Sequence, residues 1–169
     1  MHMSAQQTFS FAQASALLPK LKTMLKAANQ ELMAKAEILA NAYVYYEKCE
    51  QEMNKVKPGQ SSRTNANDGV SDSFADLRQC RLNFQAAIES LSQAKQDYVQ
   101  AINLWFDEIS DTGVILRDIK TGLLDFPARN GSFEYYLCWQ LDENEIGYWH
   151  MINDGFTGRR PLAVLNEYV

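Results

Sequence analysis

Cysteine is scarce in this chain and badly placed for structural work. Cys49, Cys80 and Cys138 are the only three in 169 residues. An odd count at wide spacing opposes a disulfide framework, and no CxxC pair is present to hold zinc. They read as free thiols, buried or half-buried, in a reducing compartment. Positive charge is in deficit, with a formal net charge of −5. That opposes nucleic-acid binding, which needs a basic surface to release counterions, and an anionic membrane as partner. No apolar run approaches the ~20 residues of a bilayer span. The N-terminus shows no basic stretch followed by an apolar core, so no secretory signal is read there and a cytoplasmic location is expected. Histidine is almost missing. Met1-His2-Met3 reads as an expression leader ahead of a start at Met3, which leaves His150 as the one native histidine. Neither a Walker loop nor a dinucleotide fingerprint occurs.

Long heptad patterns are what the chain has instead. Ser10 followed by Gln13 makes a capping box after Thr8-Phe9 and opens a helix. Pro19 lies about two turns inside and is expected to kink or split that helix near Leu17. Apolar positions then step by three and four through Leu18, Leu21, Leu25, Ala28, Leu32, Leu39, Ala42, Tyr46, Cys49 and Met53. Lys35 is the one break, and its long stem is expected to cover apolar surface. A second helix is predicted from Ser73. Its seam is read as Phe74, Leu77, Phe84, Ile88, Leu91, Tyr98, Ile102, Trp105 and Ile109, interrupted by Arg81 and Lys95. The polar stretch Pro58–Asp72 between them is expected to be a mobile connector. Two such helices fold back antiparallel. Tyr43, Val44, Val99 and Phe106 widen the apolar stripes, and the surplus points to contact with the C-terminal module or a second copy, hence a homo-oligomer.

After Gly113 the period changes from heptads to alternation. Asn130-Gly131 predicts a two-residue turn joining antiparallel strands. Counting from it sets Ala128 opposite Phe133, Phe126 opposite Tyr135 and Leu124 opposite Leu137. The same count sets Asp125 opposite Tyr136 and Leu123 opposite Cys138. A tight turn through Asp142–Glu145 sets Trp139 opposite Tyr148, Cys138 opposite Trp149 and Leu137 opposite His150. With a strand at Val114–Arg117 this makes a meander of three or four strands. One face, with Leu124, Phe126, Phe133, Tyr135, Leu137, Trp139 and Tyr148, is expected to lie on the helices. The other, with Leu123, Asp125, Tyr136, Cys138 and Trp149, is too apolar to sit wholly in water, and awaits the terminal segment, a partner or a ligand. The expected class is therefore α+β: a helical hairpin over 4–111, with its connector at 58–72, and a small antiparallel sheet module over 112–169.

The polar candidates are Asp118, Asp125, Arg129, His150, Asp154 and Arg159. An enzyme would use His150 as general base with Asp125 or Asp118 orienting its ring. Arg159 or Arg129 would hold an anion, helped by backbone amides around Gly155–Gly158, and Trp149 is a candidate stacking surface. A metal would take His150 with two aspartates. Each residue also has an ordinary structural reading: His150 packed at a strand end with one acceptor, Asp118 in a turn, Asp125 paired with an arginine, and Arg159 bonded to Asp118 or Asp125. Strand counting puts Asp125 and His150 on opposite faces, and a bulge or a different second turn would reunite them.

The chain resembles the bacterial and archaeal proteins grouped as domain of unknown function 2203. The resemblance opens with Thr8-Phe9-Ser10, Ala14 and Leu17-Leu18-Pro19. It is most specific in Gly113, Asp118, Gly122-Leu123, Asp125-Phe126-Pro127, Gly131, Leu137-Cys138-Trp139, Trp149-His150, Gly155-Phe156, Gly158-Arg159 and Pro161. Asp142 stands where the family pattern carries a glycine, and the connector is long for the family. The resemblance implies a cytoplasmic protein with a helical hairpin and a compact C-terminal sheet, and it implies no activity or cofactor. The sequence thus leads to an interaction or regulatory module, homo-oligomeric, binding a protein or a small anionic ligand. Its rival is a hydrolase- or lyase-type enzyme, metal-dependent or not, built on His150 with Asp118 or Asp125 and Arg159.

Overall fold

A computed structural model describes residues 7–55 and 69–168. In chain order these form helix α1 (Phe11–Lys55), helix α2 (Gly69–Ser110) and strands β1 (Ile115–Asp118), β2 (Leu123–Asn130), β3 (Phe133–Trp139), β4 (Tyr148–Met151) and β5 (Arg160–Pro161). The strands join in one antiparallel sheet that follows chain order. The fold is thus α+β, two long helices and then an antiparallel sheet, with β5 a strand beyond those the alternation indicated. No described helix is long and apolar enough to cross a membrane. Most of the connector expected at 58–72 lies outside the described residues, but α2 already begins at Gly69, ahead of the start read at Ser73. The chain forms two compact units, one running up to Glu31 and again from Ile102, the other Leu32–Ala101.

In the first unit, α1 starts at its capping box. The Ser10 amide donates to Gln13 Oε1 and the Gln13 amide to Ser10 Oγ, which satisfies two end-of-helix donors at once. Phe9 just ahead is tied to the sheet by its amide, which donates to the Pro127 carbonyl at 2.7 Å. Its ring meets Phe126 edge-on. The split expected at Pro19 does not occur, and α1 continues through it. A helix-interior proline costs about 3 kcal/mol. Leu18, Leu21, Met24 and Leu25, all buried in one cluster with Ile109 and the inner sheet face, offset that cost; each fully buried leucine contributes roughly 1.5–3 kcal/mol.

In the second unit the α1 seam is buried as its period predicts. Leu32, Ala42 and Cys49 are buried, and Leu39, Tyr46 and Met53 half-buried. The α2 seam differs from expectation. Its buried positions are Ala87, Leu91, Ala94 and Ala101, with Leu77, Cys80, Phe84 and Tyr98 half-buried. Phe74 and Ile88, read as seam residues, are 68% and 44% exposed. Arg81 and Lys95 interrupt nothing, because both stand off the seam and are exposed. Ala42, Leu91 and Ala94 make the cluster here, with Leu39 and Tyr46 against it.

The sheet departs from the counted register twice. Asn130 pairs with Phe133, so the two-residue loop is Gly131-Ser132 rather than Asn130-Gly131. Gly131 has φ +59°, the positive value a primed hairpin turn needs at its first loop position. Pairings on this hairpin therefore slip by two: Ala128 faces Tyr135, Phe126 faces Leu137 and Asp125 faces Cys138. A slip of two leaves every side chain on its expected face. The second slip is by one. Cys138 pairs with Tyr148, Leu137 with Trp149 and Tyr136 with His150, and a one-residue slip turns a whole strand over. Trp149 thus joins Leu124, Phe126, Leu137 and Trp139 in the core on the helices, and Tyr148 leaves it at 39% exposed. The cause is the connection 140–147, which is no tight turn. Glu143 organises it: its carboxylate accepts the Gln140 amide, and its carbonyl accepts the Trp139 indole N–H at 3.1 Å.

Candidate functional site

The turned-over β4 places His150 on the same face as Asp125 and Cys138. That face is closed in part by residues 152–156, and a cavity of about 300 Å³ remains between, lined by Arg117, Leu123, Asp125, Cys138, His150 and Asp154 among others. A bulge between Leu116 and Asp118 leaves Arg117 out of the β1 pairing. Bulges re-aim side chains, and Arg117 Nε donates to Asp125 Oδ2 at 2.7 Å. His150 Nε2 meets Asp125 Oδ1 at 3.0 Å. Asp125 and His150 are each 2% exposed.

The protonation of His150 follows from its partners. Nδ1 lies 2.9 Å from the Met151 carbonyl and Nε2 faces a carboxylate, so both nitrogens look at acceptors. Only the imidazolium fills both bonds. Burial works against that charge, but the bond to Asp125, the bond to Met151 and the Asp125 charge outweigh it, and the pKa lies above its ordinary 6.5. For Asp125 burial again pushes the other way. The hydrogen bonds from His150 and Arg117, with the His150 charge and the Cys138 thiol, hold its pKa below the usual carboxylate value. Cys138 is pushed up to about 12, by burial first and then by the Asp125 charge. It is held as a neutral thiol beside Asp125, the opposite of the lowered pKa that a nucleophilic cysteine needs. Tyr136 completes the group, its ring 5.3 Å from that of His150 and under the Arg117 guanidinium.

The other candidates are elsewhere. Asp118 accepts the Lys120 and Thr121 amides as a turn residue. Arg129 pairs with Glu134, directly across the β2–β3 hairpin and exposed. Arg159 bonds Glu143 at 2.6 and 2.9 Å, not Asp118 or Asp125, and stacks on Tyr148 and Phe156. Asp154 reaches the pocket wall but is paired with Arg160 at 2.9 Å. Trp149 is fully buried, with its ring packed against Phe133, Tyr135 and Tyr168. Sequence reasoning missed Arg117 and the chemical part played by Cys138. Cys138 carried a signal, since alternation already set it on the face of Asp125; Arg117 carried none, because a bulge placed it.

His150 is therefore not a free base: its ring is buried and both its nitrogens are engaged. The cluster can hold charge in a fixed place and present Arg117 to a ligand. No curated protein and no solved structure matches the chain. A family profile described as "Uncharacterized conserved protein (DUF2203)" matches residues 7–162, and the chain belongs to that family.

Proposed function

We propose that this protein is a binding module, homo-oligomeric and without catalysis of its own, that takes a small anionic ligand in the pocket above Asp125. One observation carries the reading. Arg117 spends only Nε on Asp125, and among the described residues its outer guanidinium nitrogens have no hydrogen-bond partner. A guanidinium so held presents a planar pair of donors, the geometry that carboxylates and phosphates accept. In the cavity lining two cations, Arg117 and protonated His150, face two carboxylates, Asp125 and Asp154, so no net negative charge opposes an anion at the open guanidinium edge. The cavity is at the small end of ligand sites, which favours a compact mono- or dicarboxylate or a phosphate ester over anything nucleotide-sized. The hydrolase or lyase reading fits less well, since His150 lacks a free nitrogen and Asp118 and Arg159 serve other partners.

Isothermal titration of the full chain with a panel of small carboxylates, inorganic phosphate and phosphate esters tests this. At least one is expected to bind, and Arg117→Gln, checked for folding by its circular dichroism, weakens it by about tenfold or more, equivalent to the loss of one charge-assisted contact of about 1.4 kcal/mol or more. A panel with no binder, or equal binding by Arg117→Gln, overturns the reading.

A further inference from the structure

The floor of the same pocket has a second property that the anion reading does not use. One ligand atom each from Asp125, Cys138 and His150 lie within 4.8 Å of one another, and all three residues are buried. A tetrahedral zinc ion with bonds of ~2.0–2.3 Å spaces its ligand atoms about 3.3–3.8 Å apart, so the three need shift by no more than about 1 Å to close on it. We propose that Asp125, Cys138 and His150 form a site for one divalent ion of the zinc type, with its fourth position open to the pocket.

Three features support this. The donor set of one nitrogen, one sulfur and one oxygen is of the kind zinc accepts. The outer contacts are already those of a metal site. His150 Nδ1 lies against the Met151 carbonyl at 2.9 Å, which fixes the tautomer that offers Nε2 inward. Asp125 Oδ2 is held by Arg117 at 2.7 Å, which leaves Oδ1 to coordinate. Ligating histidines and carboxylates are oriented in this way by such outer partners. Charge gives the third feature. Without an ion the cluster is a carboxylate, an imidazolium and a thiol. Binding one divalent ion releases the Nε2 proton and the thiol proton, leaving a carboxylate, a neutral imidazole and a thiolate around the ion. Two protons leave and two positive charges arrive, so the buried cluster is neutral before and after. The exchange adds no net charge to a low-dielectric site, where an uncompensated ion is expensive. The ion needs no external reductant or co-reactant.

The sequence hid this site because its ligands come singly from β2, β3 and β4, with no short spacing to read. The inference stands apart from the anion reading. An ion that binds while no anion does sinks that reading alone, and an anion held by Arg117 in a protein that takes no ion sinks this one.

The test uses the full chain stripped with a chelator and titrated with cobalt(II) or zinc chloride alone. One equivalent is expected to bind. Cobalt then gives a near-ultraviolet thiolate charge-transfer band that zinc abolishes. Cys138→Ser loses the band, and the double variant Cys49→Ser with Cys80→Ser keeps it. Should Cys138→Ser fail to fold, X-ray absorption at the zinc edge of the unsubstituted protein decides the matter. One sulfur at ~2.3 Å with nitrogen or oxygen neighbours at ~2.0–2.2 Å is expected. No binding, a coordination shell without sulfur, or a band that disappears with Cys49 and Cys80 overturns the proposal.

Discussion

Asp125 is a buried carboxylate with each oxygen given to a different cation. Its Arg117 partner reaches out from a half-exposed position, while His150 is as buried as Asp125 itself. Replacing Asp125 by asparagine keeps the shape and removes the charge, leaving an imidazolium with no counter-ion inside the sheet. Breaking a buried pair in this way costs about 3–5 kcal/mol. Arg129→Ala, which breaks the exposed pair with Glu134, changes stability by less than about 1 kcal/mol. The comparison is made from urea midpoints at one pH with the chain free of metal. Similar losses for the two variants would mean that the buried cluster is not held by charge. A second contrast concerns two glycines in the left-handed region. Gly131 has φ +59° with open space around it, so Gly131→Ala loses only the backbone preference, about 1–2 kcal/mol. Gly122 has φ +64°, and a side chain there would stand 2.6 Å from Leu141 Cβ. Gly122→Ala therefore adds a clash and destabilises more than Gly131→Ala in the same measurement. At this scale the sequence was legible by residue type. It singled out Asp125 and His150, the two whose chemistry is unusual, but their shared face depended on one residue in the count through 140–147. Nothing in that stretch announces that a carboxylate and an indole three and four residues apart tie it into a wider connection.

The helices show the opposite case, in which the signal was present and only the ranking of residues obscured it. On α2 the buried or half-buried positions Cys80, Ala87, Ala94 and Ala101 recur every seven residues, interleaved with Leu77, Phe84, Leu91, Tyr98 and Trp105. On α1, Ala28, Ala42 and Cys49 hold the same seven-residue lane beside Leu18, Leu25, Leu32 and Leu39. One lane is small and one is large. Small side chains let facing backbones approach while the large ones fill the flanks. Weighting positions by hydrophobicity draws the eye to Ile88 and past Ala87; weighting them by strict period does not. The consequence is measurable. Ala94→Leu forces bulk into the close lane and destabilises by about 1–3 kcal/mol, although the change raises hydrophobicity and helix propensity is nearly unchanged. Ile88→Ala, an apolar truncation at a site exposed in the single chain, stays within about 0.5 kcal/mol when measured on protein diluted to monomer. Thermal or denaturant unfolding of the two variants checks both. An Ala94→Leu protein as stable as the parent would mean that the lane has room to spare.

For the molecule as a whole, apolar residues in the second unit remain uncovered. Phe74, Ile88 and Val99 are 68%, 44% and 54% exposed, and at their spacing they stand about four and three helical turns apart, on one stripe of α2. Met33 and Val44 form a like pair on α1, about three turns apart and 74% and 63% exposed. Arg81 and Lys95 lie in the α2 stripe, which suits a surface that meets a partner rather than one that folds inward. A net charge of −5 is no obstacle to self-association when the contact is mainly apolar and the acidic groups stay at its edge. In the proposed assembly the stripe is covered by a second copy. Light scattering on the eluting protein is then expected to give a mass at least twice the 19.3 kDa of one chain. Ile88→Glu combined with Val99→Glu places two buried charges in that contact and shifts the species toward monomer. Because these residues are off the helical seam, the helix content by circular dichroism stays unchanged. The pocket provides an internal control: titration with cobalt(II) gives the same result in monomer and assembly, since every proposed ligand comes from one chain. A parent protein that is monomeric across the accessible concentration range removes the oligomer from the proposed function and leaves the pocket to stand alone.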